Sequence, residues 1–440
     1  MRLPARLALL QPAPLMLQYH PVHTEEAIPM KPSGLEQNLI AEFEQWAIID
    51  CHEHLPPESE RIETQVDVFT LFSHYTHGDL NVAGMPECDY QALFDRRIPL
   101  ETRWALFAPY WEQIRWGSYA RAALLAAQRF YDIGDIGDQT YAALSEAIQH
   151  NNSPGLYDRV LDDACNIRTC LTQCARTDLG TPLLTPVMPL LPGNVERWND
   201  LHHGCGGFEA GMLHTLDDYL DAVFAYVLDQ QRAGAVGFKM MSNPYQAPDR
   251  AEALSAFESL RNGAVDALPS VNPLRDYVVD QVIGFIAKSD MVVCVHTGYW
   301  DDFRSLDPLH MIPILQRHPG ARFDIYHLGY PWMREAIMLG KGFPNVWLNL
   351  CWTHIISQCF VTVALDELID LIPMNKTLAF GGDYGIPVEK VYGHLVMARE
   401  DIARVLARRI ENGQMTETQA LDIAHRWFCD NPIALYRLTV

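Results

Sequence analysis

The sequence is short of positive charge and contains no long apolar run. Its 440 residues include 33 lysines and arginines against 55 aspartates and glutamates, a formal net charge of −22. A chain this acidic repels phosphate backbones, so we expect no nucleic-acid partner. No stretch reaches the roughly 18 uninterrupted apolar residues of a membrane-spanning helix, so we expect no membrane partner either.

Disulfide spacing and nucleotide-binding motifs are also missing. The ten cysteines follow no disulfide framework, and Cys51, Cys294 and Cys351 fall inside apolar runs, as small buried thiols do. We therefore expect a reducing compartment and a cytoplasmic protein. Neither the glycine-rich phosphate-binding patterns nor the G-x-S-x-G of serine hydrolases occurs. We expect a small-molecule substrate, and the sequence leaves a homo-oligomer open.

The chain divides into a tail and one large domain. Pro12 and Pro14 interrupt a short apolar run, so we interpret residues 1–34 as a disordered or extended arm, with a signal peptide as the alternative. Residues 35–440 form the domain. Within it, residues 56–165 show helical periodicity and no strand-like run. This segment is too long for an ordinary connection between a strand and the next element. We expect a helical insertion after the first strand, forming a lid or pocket wall or else a peripheral decoration.

Eight short apolar runs are typical of buried parallel strands. They lack a clean period-2 alternation, and helical patterns lie between most of them, which favours strands covered by helices. Eight strands with this alternation predict an α/β fold, a (β/α)8 TIM barrel. The runs are AIIDCHEHL, NIRTCLTQC, PLLTPVMPL, AVGFKMM, VVCVHTG, FDIYHLG, VWLNLCW and TLAFGGDYG.

Four histidines and one aspartate stand at the ends of four of these runs. All such ends open onto one face of a barrel, so residues far apart in sequence could meet at one ion. His52 and His54 are two apart on a strand and point to the same side, where both could reach an ion at about 2.0–2.1 Å. We expect His296 to be the third imidazole ligand. His327 is either a ligand to a second metal or a neutral imidazole that contacts substrate.

The carboxylate of this set is Asp383. It lies in FGGDYG, where Gly381 and Gly382 allow close approach of backbone or substrate. A carboxylate there could bind the metal and accept a proton from water.

Lys239 could join the site from the fourth strand. It points into the barrel end if Phe238 points outward. A lysine beside a metal could be carbamylated and bridge two ions, pair with an anionic substrate or serve the structure, and the sequence leaves these open.

Aromatic residues follow the strand ends as candidate substrate contacts. Tyr299, Trp300, Trp332 and Tyr384 would favour a flat or ring-shaped apolar surface, including a sugar face. Arg304 would bind a substrate carboxylate bidentately.

The combined pattern resembles the amidohydrolase superfamily, metal-dependent hydrolases built on (β/α)8 barrels. The resemblance rests on His52, His54, Lys239, His296, His327 and Asp383. It is similar to the amidohydrolase-related branch. The long helical stretch and the tract FDIYHLGYPWMREAIMLGKGFPNVWLNLCW are also similar to uronate isomerases. The resemblance implies one divalent ion rather than two, most often zinc, held by His52, His54, His296 and Asp383. His327 would assist catalysis.

The function predicted first is metal-dependent hydrolysis of a small amide, ester or lactone. Zinc lowers the pKa of bound water to about 7, Asp383 would take the proton, and His327 would steady the developing oxyanion. Isomerisation of a sugar acid comes second and metal-assisted decarboxylation third. A barrel that has lost activity and binds a ligand is the alternative from another class.

Overall fold

The chain forms the predicted parallel barrel. The computed structural model describes residues 33–190, 195–203 and 213–439. Within them, eight strands pair in parallel in the order of the sequence, so the (β/α)8 prediction is confirmed. The strands are β1 (Ile48–Glu53), β2 (Ile167–Gln173), β3 (Leu184–Pro189), β4 (Gly237–Met241), β5 (Val292–His296), β6 (Arg322–Tyr326), β7 (Val346–Asn349) and β8 (Thr377–Leu378).

The ring is closed by backbone hydrogen bonds between β1 and the residues that follow β8. Cys51 N donates to Phe380 O at 2.9 Å, and Asp383 N donates to His52 O at 2.9 Å. The eighth run is regular strand only over its first two residues, because the backbone beyond it bends toward β1. Two of the predicted metal ligands, His52 and Asp383, therefore belong to the seam of the barrel.

Helices make up most of the remaining described chain. They are α1 (Gly34–Glu44), α2 (Glu58–Glu63), α3 (Thr76–Val82), α4 (Glu87–Ala92), α5 (Leu100–Ile114), α6 (Ser118–Tyr131), α7 (Tyr141–Asn151), α8 (Trp198–His203), α9 (Leu216–Arg232), α10 (Arg250–Arg261), α11 (Pro273–Lys288), α12 (Ile312–Arg317), α13 (Met333–Gly342), α14 (Thr353–Ile356), α15 (Gln358–Leu371), α16 (Glu389–Glu411), α17 (Glu417–His425) and α18 (Asn431–Tyr436). Short 3₁₀ or π turns cover Val68–Phe72, Asp158–Ala164, Phe303–Leu306, Pro308–Met311, His327–Gly329, Met374–Lys376 and Arg426–Asp430.

The helices between β1 and β2 have their own hydrophobic core. Phe69, Phe72, Phe107 and Trp111 are buried together there, and their rings pack at centroid distances of 4.7 to 6.0 Å. Burial of aromatic rings supplies most of the stabilisation of such a small cluster. These helices end close to the mouth of the barrel, which positions their connections beside the functional site.

The barrel interior is filled at the end opposite the site. Ile49, Leu171 and Val292 belong to an interior cluster that includes Tyr436 from the chain's last helix. Tyr436 donates a hydrogen bond to Asp324 Oδ2 at 2.6 Å inside this cluster. The barrel is thus a packed core with an open end only at the carboxyl ends of its strands.

Three sequence expectations concern thiols, membranes and the tail. All nine cysteines within the described ranges are free thiols. No helix in the described part of the chain is both long and apolar enough to cross a membrane. The predicted arm, residues 1–34, lies outside the described residues except at its last two positions.

Candidate metal centre

Three of the predicted metal ligands converge at the carboxyl end of the barrel. His52 comes from β1, His54 follows it directly, and Asp383 lies in the loop after β8. Asp383 Oδ1 is 3.2 Å from His52 Nε2 and 3.2 Å from His54 Nε2. One ligand atom from each residue falls within 4.8 Å of the other two. Residues separated by 331 positions in sequence, Glu53 and Tyr384, are hydrogen-bonded just behind this group.

The geometry of the three residues fits a divalent cation. Asp383 Oδ1 is buried and makes no geometrically acceptable hydrogen bond, although two imidazole nitrogens face it. Two ligands at 2.0–2.1 Å from a tetrahedral ion are about 3.3 Å apart, close to the spacing seen here. Imidazole nitrogen and carboxylate oxygen are also the ligand types that zinc prefers.

His296 and His327 form a hydrogen-bonded pair next to these ligands. His327 Nδ1 lies 3.1 Å from the carbonyl oxygen of Cys351, which can only accept, so Nδ1 carries the proton. His327 Nε2 is then an acceptor, and it lies 2.9 Å from His296 Nδ1, which must donate. His296 Nε2 is left with a lone pair, buried and without a hydrogen-bond partner. His296 Nε2 is therefore a free donor beside the three ligands, and its role as a metal ligand stays a prediction.

The hydrogen bond between His296 and His327 also limits the catalytic roles open to His327. Both of its ring nitrogens are engaged, and Nε2 is 3.8 Å from Asp383 Oδ2. Burial lowers the pKa of His327 to about 4, so the ring is neutral near pH 7. A neutral ring with this hydrogen-bonding pattern has no free N–H for an oxyanion. The arrangement favours a positioning role toward His296 over the predicted donor role.

Burial and neighbouring groups set the charge states of His52, His296 and Asp383. Desolvation and the nearby Lys239 hold the pKa of His52 well below 6.5, and desolvation with the neighbouring His327 does the same for His296. For Asp383, burial alone would raise the pKa, but the nearby histidines, His52 first, hold it well below 3.8. Neutral imidazoles and an ionised carboxylate are the protonation states that metal binding requires.

Local backbone strain collects around the centre. Asp383, His327, Trp352 and His74 all have left-handed φ values, between 61° and 67°. Such values are uncommon for residues with a side chain and persist where the surrounding structure fixes them, often at functional sites. The pairing of β1 with β2 is also irregular between Asp50 and Glu53, next to His52.

The two glycines before Asp383 are required by close packing. A Cβ at Gly382 would collide with Glu53 Oε1, and one at Gly381 would lie 2.8 Å from His52 N. The predicted close approach at these glycines therefore involves β1. Glu53 Oε2 accepts a hydrogen bond from Tyr384 N at 2.6 Å, which holds the Asp383 loop in place.

Lys239 points into the barrel end and contacts a metal ligand. Its Nζ lies 3.1 Å from His52 Nε2 and 4.3 Å from the centre of the Tyr326 ring. Burial lowers the pKa of Lys239. Among the histidine, cysteine, aspartate and glutamate side chains of the described residues, one group has metal-binding spacing, and it consists of His52, His54 and Asp383.

A cleft of about 1100 Å³ opens beside the centre. One wall comes from the segment between β1 and β2, through residues 74–83 and 113–119, and the other comes from the loops after β5 and β7. The cleft approaches the centre at three rings. Trp352 lies 5.2 Å from His327, His74 lies 6.2 Å from His54, and Trp300 lies 6.5 Å from His296, between centroids.

The predicted substrate contacts separate into two groups. Tyr299 and Trp300 line the cleft and are about half exposed. Arg304 does not line it, because its exposed guanidinium pairs with Asp302 at 2.7 Å. Trp332 packs on Phe303 outside the cleft, and Tyr384 is fully buried behind Asp383.

Two residues at the centre were absent from the sequence prediction. The hydroxyl of Tyr75 faces the Asp383 carboxylate, whose charge adds to burial in raising the pKa of Tyr75 well above 10. His74 lies beside the backbone of Asp383, and burial lowers its pKa to about 4. Both belong to a short connection before α3, where neither periodicity nor a motif marks them. The only available signal was their place in the stretch expected to form a pocket wall.

Comparison with known proteins agrees with this geometry. A family described as amidohydrolase matches residues 195–438. Protein fluG of Emericella nidulans is 25% identical over 206 residues, which cover 44% of this chain and 24% of that protein. This chain thus matches about a quarter of the length of that relative.

Solved structures with a similar fold include two sugar-acid isomerases. A uronate isomerase from Thermotoga maritima has a TM-score of 0.75 at 16% identity, over 91% of this chain and 97% of that one. A glucuronate isomerase from Caulobacter crescentus has a TM-score of 0.72 at 17% identity, over 95% and 97%. A protein described as a metal-dependent hydrolase from Lactobacillus casei has a TM-score of 0.60 at 19% identity, over 91% and 97%. At sequence identities this low, these likenesses show a shared fold and nothing beyond it.

The family match has a different weight, because it is a match of sequence and covers more than half of the chain. It includes β4 to β8 and the turns after them, and with these Lys239, His296, His327 and Asp383. The chain belongs to the amidohydrolase family.

Proposed function

We propose that this protein is a metal-dependent hydrolase that acts on a small amide, ester or lactone. The observation that carries the proposal is the convergence of His52, His54 and Asp383, with Asp383 Oδ1 facing both imidazole nitrogens. The unpaired Nε2 of His296 adds a fourth donor of the right type. The sequence prediction assigned the same four residues.

The cation that these residues would hold supplies Lewis acidity toward a carbonyl oxygen and lowers the pKa of water. Zinc is our first choice for it, since imidazole and carboxylate suit zinc. We propose one ion, because the Lys239 amine contacts His52 and no second group with ligand spacing occurs in the described ranges.

Asp383, His327 and Tyr75 each have a separate role in the proposed reaction. Asp383 is ionised and accepts the proton of the attacking water. His327 accepts the hydrogen bond from His296 Nδ1, and this keeps the lone pair of His296 on Nε2, where it is free for the cation. Tyr75 presents its hydroxyl to Asp383 and can hold the carboxylate in the orientation that proton transfer needs. The aromatic cleft excludes water from one side of the substrate.

Isomerisation of a sugar acid is the second candidate. Its support is the likeness in fold to the two isomerases named above. Against it stands the chemistry of the cleft, because none of the described residues lining it is an arginine or lysine that could bind a carboxylate. Metal-assisted decarboxylation remains third.

Metal analysis and a substrate panel test the proposal together. We expect about one zinc per chain in the purified protein, and loss of that zinc in His54→Ala but not in His150→Ala, a surface control. Lactones, simple esters, N-acyl compounds and uronates would be incubated with the zinc protein and followed by NMR. Hydrolysis of a member of the first three classes supports the proposal. Conversion of a uronate to its keto isomer, or failure to bind any divalent metal, would overturn it.

A further inference from the structure

We infer that the cleft beside the metal centre binds a positively charged end of the substrate. The inference rests on the proposed function for the reacting end, which lies at Asp383. It adds the chemical class of the other end, an ammonium or similar organic cation. The argument uses the shape, the aromatic content and the charge of the cleft.

Aromatic rings form the walls of the cleft. Tyr75 stacks on Trp352 with centroids 4.4 Å apart and an interplanar angle of 24°. Trp300 stands edge-on to Tyr75 at 6.1 Å and 88°, and Tyr299 approaches Trp352 at 6.2 Å. These rings contact one another, and Tyr299 and Trp300, each about half exposed, present the free aromatic surface of the cleft. Organic cations are attracted to the faces of such rings, and tryptophan is the strongest partner.

The charged groups on the cleft are acidic. Asp79 and Asp301 line it, and none of the described lining residues is lysine or arginine. Burial raises the pKa of Asp79, which Lys390 partly counters. The ammonium of Lys390 is fully buried behind the wall and lies 3.3 Å from Thr76 Oγ1. The surface that a ligand would meet is therefore aromatic with two carboxylates.

Two histidines also line the cleft. His77 Nε2 lies 2.7 Å from Glu87 Oε2, so a carboxylate accompanies it. His74 lies at the end of the cleft nearest the metal centre, where its ring is 6.2 Å from that of His54 between centroids. A carboxylate on the ligand would meet no lysine or arginine among the described residues that line the cleft. An ammonium would meet ring faces and carboxylates.

The position of the cleft relates this preference to the reaction. Trp352, His74 and Trp300 belong to the cleft, and each lies close to one of the histidines of the metal centre. A substrate with its reacting carbonyl at the centre would place its far end against the exposed rings of the cleft. The volume of about 1100 Å³ accommodates a molecule of ordinary metabolite size.

Binding of matched probes to the zinc-loaded full-length protein tests the inference without any turnover. The probes are choline, its neutral isostere 3,3-dimethyl-1-butanol, and glucuronate, with affinity measured by calorimetry. We expect choline to bind at least about tenfold more tightly than the isostere, since both have the same shape. Equal affinities, tighter binding of glucuronate, or no binding of choline would each overturn the inference.

Variants place the binding in the cleft. Trp300→Ala and Asp79→Asn should each weaken choline binding at least about fivefold, with little effect on the isostere for Asp79→Asn. Trp116→Ala is the matched control, because Trp116 is 87% exposed and does not line the cleft. Equal loss in Trp116→Ala would contradict the assignment.

Failure of this inference and failure of the proposed function give different results. Zinc content and hydrolysis of the substrate panel report on the reaction, while choline preference reports on the cleft. A protein that binds zinc and hydrolyses neutral substrates but ignores choline refutes the inference alone. A protein that prefers choline but lacks zinc and hydrolytic activity refutes the proposed function alone.

Discussion

His327 Nε2 lies 2.9 Å from His296 Nδ1, and this contact fixes the tautomers of both rings. The carbonyl oxygen of Cys351 accepts a hydrogen bond from the single N–H of His327, at Nδ1, so His296 Nδ1 donates to His327 Nε2 and the lone pair of His296 lies on its Nε2. A metal ligand is usually oriented by such a partner on its second ring nitrogen. His327 thus acts on the centre through His296.

The first prediction follows from these two hydrogen bonds of His327. In His327→Ala, His296 loses its acceptor and its ring can rotate or change tautomer, so zinc affinity should fall about 10- to 100-fold. His327→Gln can restore one hydrogen bond and should recover part of the loss. Affinity would be measured by competition with a chromophoric chelator. Unchanged affinity in His327→Ala, with His150→Ala as the control, would show that the pair does not orient a ligand.

The second prediction concerns the packing behind Asp383. Alanine at position 382 would place a Cβ against Glu53 Oε1 and push the Asp383 loop away from β1. We expect Gly382→Ala to lower the free energy of unfolding by about 1–3 kcal/mol and zinc affinity at least about tenfold.

Gly342→Ala is the matched control for this substitution. Gly342 ends α13, and a Cβ there would meet no atom within 4 Å. Urea unfolding and chelator competition measure both quantities. A normal zinc affinity in Gly382→Ala would mean that the loop tolerates displacement and that Gly382 does not position Asp383.

The barrel and its ligands could be predicted because both follow from short sequence patterns. Each strand is a brief apolar run, and parallel strands of a barrel end on one face. His52, His54 and Asp383 sit where those runs end, so topology alone brings them together. The eighth run was predicted as a longer strand than the two residues observed, because the backbone after Leu378 bends toward β1, where Phe380 O accepts from Cys51 N.

The cleft could not be predicted in the same way, because irregular connections build it. Tyr75 and His74 lie in a turn before α3 whose direction depends on packing far away in sequence. Arg304 was expected to face a substrate, yet Asp302, two residues earlier, pairs with it. Tyr384 follows Asp383 directly, but the bend of the loop turns its ring into the core. The positions of Tyr75, His74 and Tyr384 depend on tertiary contacts that a single sequence does not encode locally, whereas the Asp302–Arg304 pair is a local contact that the sequence offered.

The third prediction concerns the Tyr75 hydroxyl, which faces Asp383. In Tyr75→Phe the carboxylate loses this partner while the ring and its stacking on Trp352 are kept. We expect kcat on the best substrate of the panel to fall about 10- to 100-fold, as for loss of a polar contact with a charged group, with zinc content unchanged. Tyr119→Phe, in the same cleft, is the control and should stay within about threefold of the wild type. A loss of zinc in Tyr75→Phe would instead indicate a structural role.

The fourth prediction is a pH dependence of stability that arises at Asp324, in the interior of the barrel. Asp324 is fully buried in the barrel, where Tyr436 and Asn349 both donate to its Oδ2 at 2.6 and 2.9 Å. Burial raises the pKa of Asp324 from 3.8 to about 7. Between these values the folded state binds more protons than the unfolded state. The stabilisation is therefore present at low pH and is lost as pH rises through about 7.

Asp324→Asn removes this dependence, because the amide is neutral at all these pH values and has nearly the same shape. Between pH 5 and pH 8, the difference in free energy of unfolding between Asn and wild type should shift in favour of Asn by about 2 kcal/mol. Urea denaturation at the two pH values measures the shift, with Asp178→Asn as the control because Asp178 is 90% exposed. The same stability difference at both pH values would mean that Asp324 keeps an ordinary acidity, and that its hydrogen bonds outweigh the cost of burial.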